Sequence, residues 1–136
     1  DFIILLQPTS PLRTAEYIDQ AIEYYFDKKG SETDTLVSVT QMSDKYGWIV
    51  RATENGYIDY CFGLNRLNED RQCLRKYYLP NGAIYIGNVQ AVLRDGFYTD
   101  RTLYFIMSAE DSVDIDTQED LEKGLGTVQK RTVEKR

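Results

Sequence analysis

The sequence contains no histidine, and its two cysteines, Cys61 and Cys73, lie too far apart for a C-x-x-C motif. The lack of histidine excludes Ser-His-Asp and Cys-His catalytic groups and imidazole ligands for a metal. Two cysteines are too few for a disulfide framework, and we expect ordinary reduced thiols in a cytoplasmic protein. The chemistry expected of this chain is therefore one that needs no imidazole.

The chain also lacks an excess of positive charge and a long apolar run. Its 16 Lys and Arg residues against 22 Asp and Glu residues give a net charge of −6. A surface for nucleic acid or for an anionic membrane would need a basic face, so we expect neither partner. We also expect no membrane span and no signal peptide. A length of 136 residues is enough for one domain with its own core.

The first half of an α/β core is predicted at the start of the chain. Phe2–Leu6 is a continuous apolar run, typical of a strand that is buried on both faces of a parallel sheet, and we expect it to lie centrally. An amphipathic helix is predicted over residues 15–29 and a β-branched strand over residues 35–40. Because proteins rarely begin with a central strand, we expect the chain to be a fragment of a longer protein.

Residues 44–78 are predicted to form a β-rich arm that departs from this core. Asn55-Gly56 favours a tight turn, which predicts a hairpin between residues 48–52 and 57–61. Trp48, Tyr57, Tyr60 and Phe62 are many aromatic residues for a segment that stays in water. Such an excursion is usually an interaction arm or a lid.

The core resumes after the arm. Strands are predicted over residues 78–86 and 103–107, with helices over 88–94 and 117–125. The predicted organisation is a core part over 1–43, the arm over 44–78, a second core part over 79–126 and a basic tail over 127–136. The fold class that this order predicts is α/β, with a mixed, mostly parallel, Rossmann-like sheet and a β-rich dimerisation arm.

Ser112–Asp116 carries the most specific chemical pattern in the chain. If the segment ends a strand, Asp114 and Asp116 lie on one face and the aliphatic residues between and before them on the other. Two adjacent carboxylates repel each other unless a cation or a proton lies between them, and Mg²⁺ accepts one or two carboxylates together with water and phosphates. In the alternative interpretation, Asp116 is only a helix-start acid and Asp114 a solvated residue.

The loop Gln7–Thr14 is a candidate wall of a substrate site. Ligands of open α/β sheets bind at the carboxyl ends of strands, where this loop begins. The alternative is a plain turn whose hydroxyl groups cap the following helix. The role of Tyr85 also has two interpretations, because a strand tyrosine is either a core residue or one that offers its hydroxyl to a pocket.

Three blocks together resemble one enzyme family. They read L-L-Q-P-T-S-P-L-R at 5–13, N-G-A-I-Y-I at 81–86 and I-M-S-x-x-D-S-x-D-I-D at 106–116. Their order and spacing are similar to those of the cytidylyltransferases that activate acidic sugars, above all the CMP-N-acylneuraminate (CMP-sialic acid) synthetases. The resemblance implies a nucleotidyltransferase that joins CTP to a nine-carbon 2-keto sugar acid, with Mg²⁺ and release of pyrophosphate.

The resemblance also implies roles for individual residues. Asp114 and Asp116 would be the catalytic carboxylates that hold the metal. The residues expected to bind substrate are Gln7, Thr9, Ser10, Arg71, Asn81, Tyr85, Phe97 and Tyr98. Among these, Phe97-Tyr98 would form an apolar pocket for the acyl group, and the arm of one subunit would deliver Arg71 towards the sugar carboxylate of a partner. A homodimer is therefore expected.

The family's glycine- and lysine-bearing loop for the CTP phosphates has no counterpart in this sequence. We therefore expect the 136-residue chain alone to be inactive. The sugar could be sialic acid or a relative such as legionaminic, pseudaminic or 3-deoxy-octulosonic acid, and a base other than cytosine stays open. A second hypothesis is a non-catalytic self-association module with a vestigial sugar-nucleotide site.

Overall fold

A computed structural model describes residues 1–28, 30, 33–63 and 76–134. The six strands are β1 (Phe2–Leu5), β2 (Thr35–Gln41), β3 (Val50–Ala52), β4 (Ile58–Tyr60), β5 (Tyr78–Asn88) and β6 (Thr102–Met107). The three α-helices are α1 (Ala15–Lys28), α2 (Val89–Asp95) and α3 (Gln118–Glu134), and a 3-10 helix spans Asp44–Trp48. None of the described helices combines the length and apolar character needed to cross a membrane.

The described chain divides into two compact units. The core unit comprises Asp1–Thr40 and Pro80–Arg136, and the arm unit comprises Gln41–Leu79. A four-stranded sheet has the order β1-β5-β2-β6, in which β1 runs antiparallel to β5 and β2 runs parallel to β6. Strands of both directions together with helices confirm the prediction of an α/β fold with a mixed sheet.

The core forms where α1 packs on the sheet. Ala21 and Tyr25 of α1 are fully buried, as the helical stripe predicts, and they pack with Leu36, Ile84 and Ile86 of the sheet. All of the buried apolar side chains found in the described residues belong to the core unit. Burial of this kind stabilises the unit because it removes apolar surface from water.

The central position predicted for Phe2–Leu6 is wrong. β1 is an edge strand of the described sheet, and each of the five residues from Phe2 to Leu6 is between 37% and 47% exposed. Among the described strands only β5 pairs with β1, through a register in which Ile4 lies opposite Ile86. The apolar composition of β1 is typical of a buried strand, but the described residues bury it only in part.

The arm unit contains the predicted hairpin. β3 and β4 pair antiparallel with Arg51 opposite Asp59, and Gly56 takes the positive φ of 84° that the tight turn requires. The amide of Thr53 donates to the carbonyl of Tyr57 at 2.9 Å and closes the turn. Residues 64–75 of the predicted arm lie outside the described part of the chain, and so do Arg71 and Cys73.

The carboxylate segment is not the end of a strand. β6 stops at Met107, and a turn follows in which the amide of Asp111 donates to the Ser108 hydroxyl at 3.1 Å. Ser112–Asp116 is irregular, and α3 begins at Gln118 and continues to Glu134, well beyond the predicted end at Leu125. The turn interrupts the strand because Ser108 and Asp111 satisfy each other's polar groups locally.

Candidate active site

The two aliphatic residues of the carboxylate segment lie on one side although the segment is not a strand. A methyl group added at Gly124 of α3 would lie 3.9 Å from the side chains of Val113 and Pro11 and 4.0 Å from that of Ile115. The two aliphatic residues therefore face α3. The amide of Ile115 also donates to the carbonyl of Thr9 at 2.8 Å. These contacts turn the intervening Asp114 to the other side.

Asp114 lies beside the first residue of the candidate substrate loop. A methyl group added at Gly82 would lie 2.5 Å from Oε1 of Gln7 and 3.5 Å from Oδ2 of Asp114, so both side chains approach the bare backbone of this glycine. Gly82 also has a φ of 73°, which other residues adopt only with strain. The structure thus brings together residues 7, 82 and 114, one from each sequence block.

Oδ1 of Asp114 is buried and has no hydrogen-bond partner among the described residues. A buried carboxylate oxygen without a partner is costly unless a cation or a donor from a ligand completes it. Asp116, in contrast, is exposed. The two carboxylates are therefore only two residues apart in sequence but differ in environment.

An aromatic group borders this site. The ring of Tyr85 lies 5.2 Å from that of Phe97 and 6.2 Å from that of Tyr98, and the two tyrosine hydroxyls are 3.5 Å apart. Burial raises the pKa of Tyr85 to about 12, with smaller contributions from the hydrogen bond and charge of Tyr98 and from the negative charge of Asp114. Tyr85 therefore keeps its proton at neutral pH and can donate a hydrogen bond.

Arg13 supports the loop, a role that was not predicted from the sequence. Its Nη1 donates to the carbonyl of Gln7 at 2.9 Å and to the carbonyl of Ala83 at 2.8 Å. One guanidinium therefore ties the backbone that carries Gln7 to β5, next to Gly82. The signal available in the sequence was the arginine that ends the block L-L-Q-P-T-S-P-L-R.

Two hydroxyl residues of the loop contribute in different ways. Thr9 is half-buried, and its carbonyl receives the amide of Ile115. Ser10 is 3% exposed, and its Oγ has no hydrogen-bond partner among the described residues. The loop is therefore more than a cap for α1, although Thr14 does accept a hydrogen bond from the amide of Tyr17 at 3.3 Å.

Asn81 is placed inside the protein. It is 5% exposed, and its amide oxygen accepts from the hydroxyl of Ser38 at 2.6 Å and from the amide of Ala83 at 3.2 Å. Its amide nitrogen donates to Oγ of Ser112 at 2.9 Å and to the sulfur of Met107 at 3.5 Å. A direct contact between Asn81 and a sugar remains a prediction.

Asp116 is held by its backbone at the start of α3. Its amide lies 3.4 Å from Oδ2 of Asp120, which also accepts from the amide and hydroxyl of Thr117. The amide of Asp120 donates back to Oγ1 of Thr117 at 3.2 Å. This reciprocal pair is a capping box, and Thr117-x-x-Asp120 was its signal in the sequence. The hydrogen bond from Thr117 is the main reason that the pKa of Asp120 is lowered.

The donor groups present suit a hard cation that needs few protein ligands. No group of three or more Asp, Glu, Cys or His side chains gathers as a metal site in the part of the chain that the structure describes. Mg²⁺ commonly uses one or two carboxylates and completes its shell with water and phosphate oxygens. The buried, unpartnered oxygen of Asp114, with Asp116 close by in the chain, fits that pattern.

Comparison with known proteins gives several clear relatives. The chain is 37% identical over 118 residues to the N-acylneuraminate cytidylyltransferase of Streptococcus agalactiae serotype III (strain NEM316), which covers 86% of this chain and 28% of the relative. It is 35% identical over 132 residues to the N-acylneuraminate cytidylyltransferase of Escherichia coli O18:K1:H7, covering 96% of this chain and 30% of that protein.

A further relative acts on a different sugar, as its name states. The CMP-N,N'-diacetyllegionaminic acid synthase of Legionella pneumophila is 31% identical over 129 residues, covering 86% of this chain and 49% of the relative. No protein-family profile matches the chain. The chain spans under a third of the length of the two cytidylyltransferases. Over most of its own length it is related to the N-acylneuraminate cytidylyltransferases, which confirms the resemblance predicted from the three sequence blocks.

Proposed function

We propose that this chain forms the sugar-binding and metal-binding part of a cytidylyltransferase that transfers CMP from CTP to an acidic nine-carbon 2-keto sugar. The relationship to N-acylneuraminate cytidylyltransferases supports the reaction class. The single observation that carries the assignment of the site is the buried, unpartnered oxygen of Asp114 beside Gln7 and Gly82. The sugar is sialic acid or a relative, since the named relatives include a legionaminic acid synthase.

Asp114 and Asp116 are the proposed ligands of Mg²⁺. When bound, this ion would polarise phosphoryl oxygens and offset the negative charge that develops during phosphoryl transfer. The chain's own contribution is to hold the two carboxylates in place. Asp114 is fixed by its neighbours Val113 and Ile115, and Asp116 by the capping box of α3.

Gln7, Tyr85, Phe97 and Tyr98 are the proposed sugar contacts on the described surface. Gln7 offers an amide that can both donate and accept, and Tyr85 offers a hydroxyl that remains protonated. The rings of Phe97 and Tyr98 supply apolar surface of the kind that packs on an acyl group. Thr9 and Ser10 complete the loop, and Arg71 is proposed to pair with the sugar carboxylate of a partner subunit.

The proposed reaction breaks one phosphoanhydride bond and forms one phosphoester bond. The anomeric oxygen of the sugar attacks the α-phosphorus of CTP, its proton leaves to the surrounding solvent, and pyrophosphate departs in line. Positioning is the main demand, because little covalent chemistry falls to the protein. Gln7 and the aromatic group would orient the sugar for that attack.

The chain alone is proposed to bind without turning over. It matches under a third of the two cytidylyltransferases, and none of its sequence resembles the family loop for the triphosphate. CTP and a sialic acid incubated with the purified 136-residue chain and Mg²⁺ should yield no CMP-sugar above the level without protein. Measurable pyrophosphate release that depends on the chain would contradict this part of the proposal.

The binding function is tested by titrating N-acetylneuraminate into the isotope-labelled chain with Mg²⁺ present. We expect nuclear magnetic resonance shifts at the Gln7 side-chain amide, at Gly82 and at Tyr85. A neutral N-acetylated hexosamine is the control for the carboxylate of the sugar. The Tyr98→Ala protein is the control for the aromatic group. The absence of any response to both Mg²⁺ and the acidic sugar would contradict the proposal and favour a self-association module.

A further inference from the structure

A chain of hydrogen bonds, buried where it starts in the sheet, runs from the sheet to the carboxylate segment. The amide of Ile84 donates to Oγ of Ser38 at 2.8 Å, and Ser38 donates to Oδ1 of Asn81 at 2.6 Å. Nδ2 of Asn81 donates to Oγ of Ser112 at 2.9 Å, and Ser112 donates to the carbonyl of Ser108 at 2.6 Å. Ser38 and Asn81 are 2% and 5% exposed.

The direction of every bond in this chain is fixed. The backbone amide of Ala83 can only donate, so the atom of Asn81 that faces it must be the oxygen. The amide nitrogen then points towards Ser112, whose own hydrogen goes to the carbonyl of Ser108. Reversal of Asn81 would set its amide NH2 group against the Ala83 amide and leave that buried amide unpaired.

The amide of Asn81 is engaged inside the protein by both its oxygen and its nitrogen. Its oxygen accepts two hydrogen bonds, and its nitrogen donates one to Ser112 and one, weaker, to the sulfur of Met107. An asparagine amide can make four such bonds. These bonds hold Asn81 in one orientation between the sheet and the carboxylate segment.

The hydrogen-bond chain ends two residues before Asp114. Ser112 is anchored through Asn81, and Ile115 is anchored through the carbonyl of Thr9 at 2.8 Å. Asp114 therefore lies between two fixed positions, which restricts where its carboxylate can lie. Such fixed support is what a preorganised metal or phosphate site requires.

We infer that Ser38, Asn81 and Ser112 are positioning residues that hold the Asp114 carboxylate in the active site. The inference rests on the proposed function only in taking Asp114 as a metal ligand. It assigns a role to two serines outside the predicted site and gives Asn81 a supporting role besides the sugar contact predicted for it.

The test uses two serine variants, because removal of Asn81 could unfold the protein. Ser38→Ala breaks the chain at the sheet, and Ser112→Ala breaks it at the carboxylate segment. Ser112→Thr keeps the hydroxyl and should restore the wild-type result. Thr40→Val is the matched control in β2, because the hydroxyl of Thr40 has no hydrogen-bond partner among the described residues.

The first measurement is amide hydrogen exchange at Ile115, compared with the amide of Ile86 in the buried strand β5. Both serine-to-alanine variants should raise the exchange rate at Ile115 roughly three- to tenfold relative to Ile86, the range expected for loss of one hydrogen bond. Thr40→Val should leave the ratio unchanged. Equal acceleration of exchange at both amides would show a purely structural effect and would overturn the inference. An unchanged ratio in both serine variants would also overturn it.

The second measurement is the Mg²⁺ affinity of the same proteins by calorimetry. Ser38→Ala and Ser112→Ala should weaken binding severalfold, with recovery in Ser112→Thr. If the wild-type chain binds no Mg²⁺ while the Ile115 ratio responds, the proposed metal site fails and the positioning role stands. If Mg²⁺ binds equally well to wild type and both variants, Asp114 is not positioned by this chain and the inference fails.

Discussion

The two units of the chain differ in how they use apolar side chains. The core unit holds the buried apolar residues of the described structure, and it also holds the candidate-site residues that the structure describes. In the described part of the arm unit, Gly47 is the only buried residue, whereas Tyr46, Tyr57 and Phe62 are 43%, 73% and 46% exposed. The core unit therefore has an interior of its own, and the arm unit presents apolar surface.

This difference indicates where stability, chemistry and association should reside. A buried interior supports precise placement of side chains, which catalysis requires. Exposed aromatic residues are the kind that dimer interfaces bury. We therefore propose that the core unit carries the chemistry and that the arm unit carries self-association, and each prediction below tests one side of this comparison.

The largest effect should come from a carboxylate of the core unit. In a full-length protein that carries this chain, Asp116→Ala should lower turnover by about 10²–10³ or more, because a preorganised electrostatic group and metal ligand is lost. The free energy of unfolding should hold or rise, since one of two like charges is removed. Asp59→Ala in the arm hairpin is the control and should retain turnover. Near-normal turnover of the Asp116→Ala protein would contradict its role as a metal ligand and would favour the interpretation of Asp116 as only a helix-start acid.

The second prediction concerns the free energy of unfolding. Leu36 is fully buried, so Leu36→Ala should cost about 2–5 kcal/mol. Tyr57→Ala in the arm should change it by less than about 0.5 kcal/mol, because that side chain is mostly in water. Urea unfolding at a concentration where the chain is monomeric measures both. A cost at Tyr57 equal to that at Leu36 would remove the distinction between the two units.

Self-association is the third prediction. Light scattering should show a homodimer at micromolar concentration, and the double variant Tyr57→Ser, Phe62→Ser should shift it towards monomer because the apolar surface is lost. Leu93→Ser is the matched control, since Leu93 is 77% exposed but lies in α2 of the core unit. A wild-type monomer, or equal dissociation by the control, would contradict a dimer formed through the arm.

The smallest predicted effect is an alkaline one. The folded pKa of Tyr85, about 12, exceeds the ordinary value of about 10, so the protonated phenol stabilises the fold fully below pH 10. That contribution is lost as pH rises from about 10 to about 12. The Tyr85→Phe protein has no phenol at this position, so its free energy of unfolding should show no such decrease. Unfolding free energies across this range, with Tyr57→Phe as the control for an exposed phenol, test the prediction. Identical pH dependence in wild type and Tyr85→Phe would contradict it.

The order of elements was predictable because each is encoded locally. The stripe on α1, the β-branched residues of β2 and the Asn-Gly turn between β3 and β4 are all patterns within one element. The position of a strand within a sheet is not local. β1 and β2 are both rich in apolar residues, but β2 lies between β5 and β6 whereas β1 lies at an edge. Composition shows that a strand can be buried and does not show which neighbours will cover it.

The candidate site was predictable as a set of residues and not as a network. The three sequence blocks identified Gln7, Tyr85 and Asp114, which the structure brings together. The supports of the site, such as the bridge from Arg13 to the carbonyl of Ala83, join residues far apart in the chain. Hydrogen bonds of that kind depend on tertiary placement, which no spacing in the sequence encodes. The placement of Arg71 lies outside the described residues and stays a prediction.

The most direct test of the central claim is the binding of Mg²⁺ to the chain and to its Asp114→Asn variant, measured by calorimetry. The substitution keeps the shape of the side chain and removes the charge from the buried, unpartnered oxygen. Asp19→Asn on the exposed side of α1 is the control for loss of one negative charge. We expect Mg²⁺ to bind to wild type and to Asp19→Asn, with affinity lost or at least about tenfold weaker in Asp114→Asn. Equal affinity in all three proteins would contradict the claim that Asp114 is the centre of a metal-dependent active site.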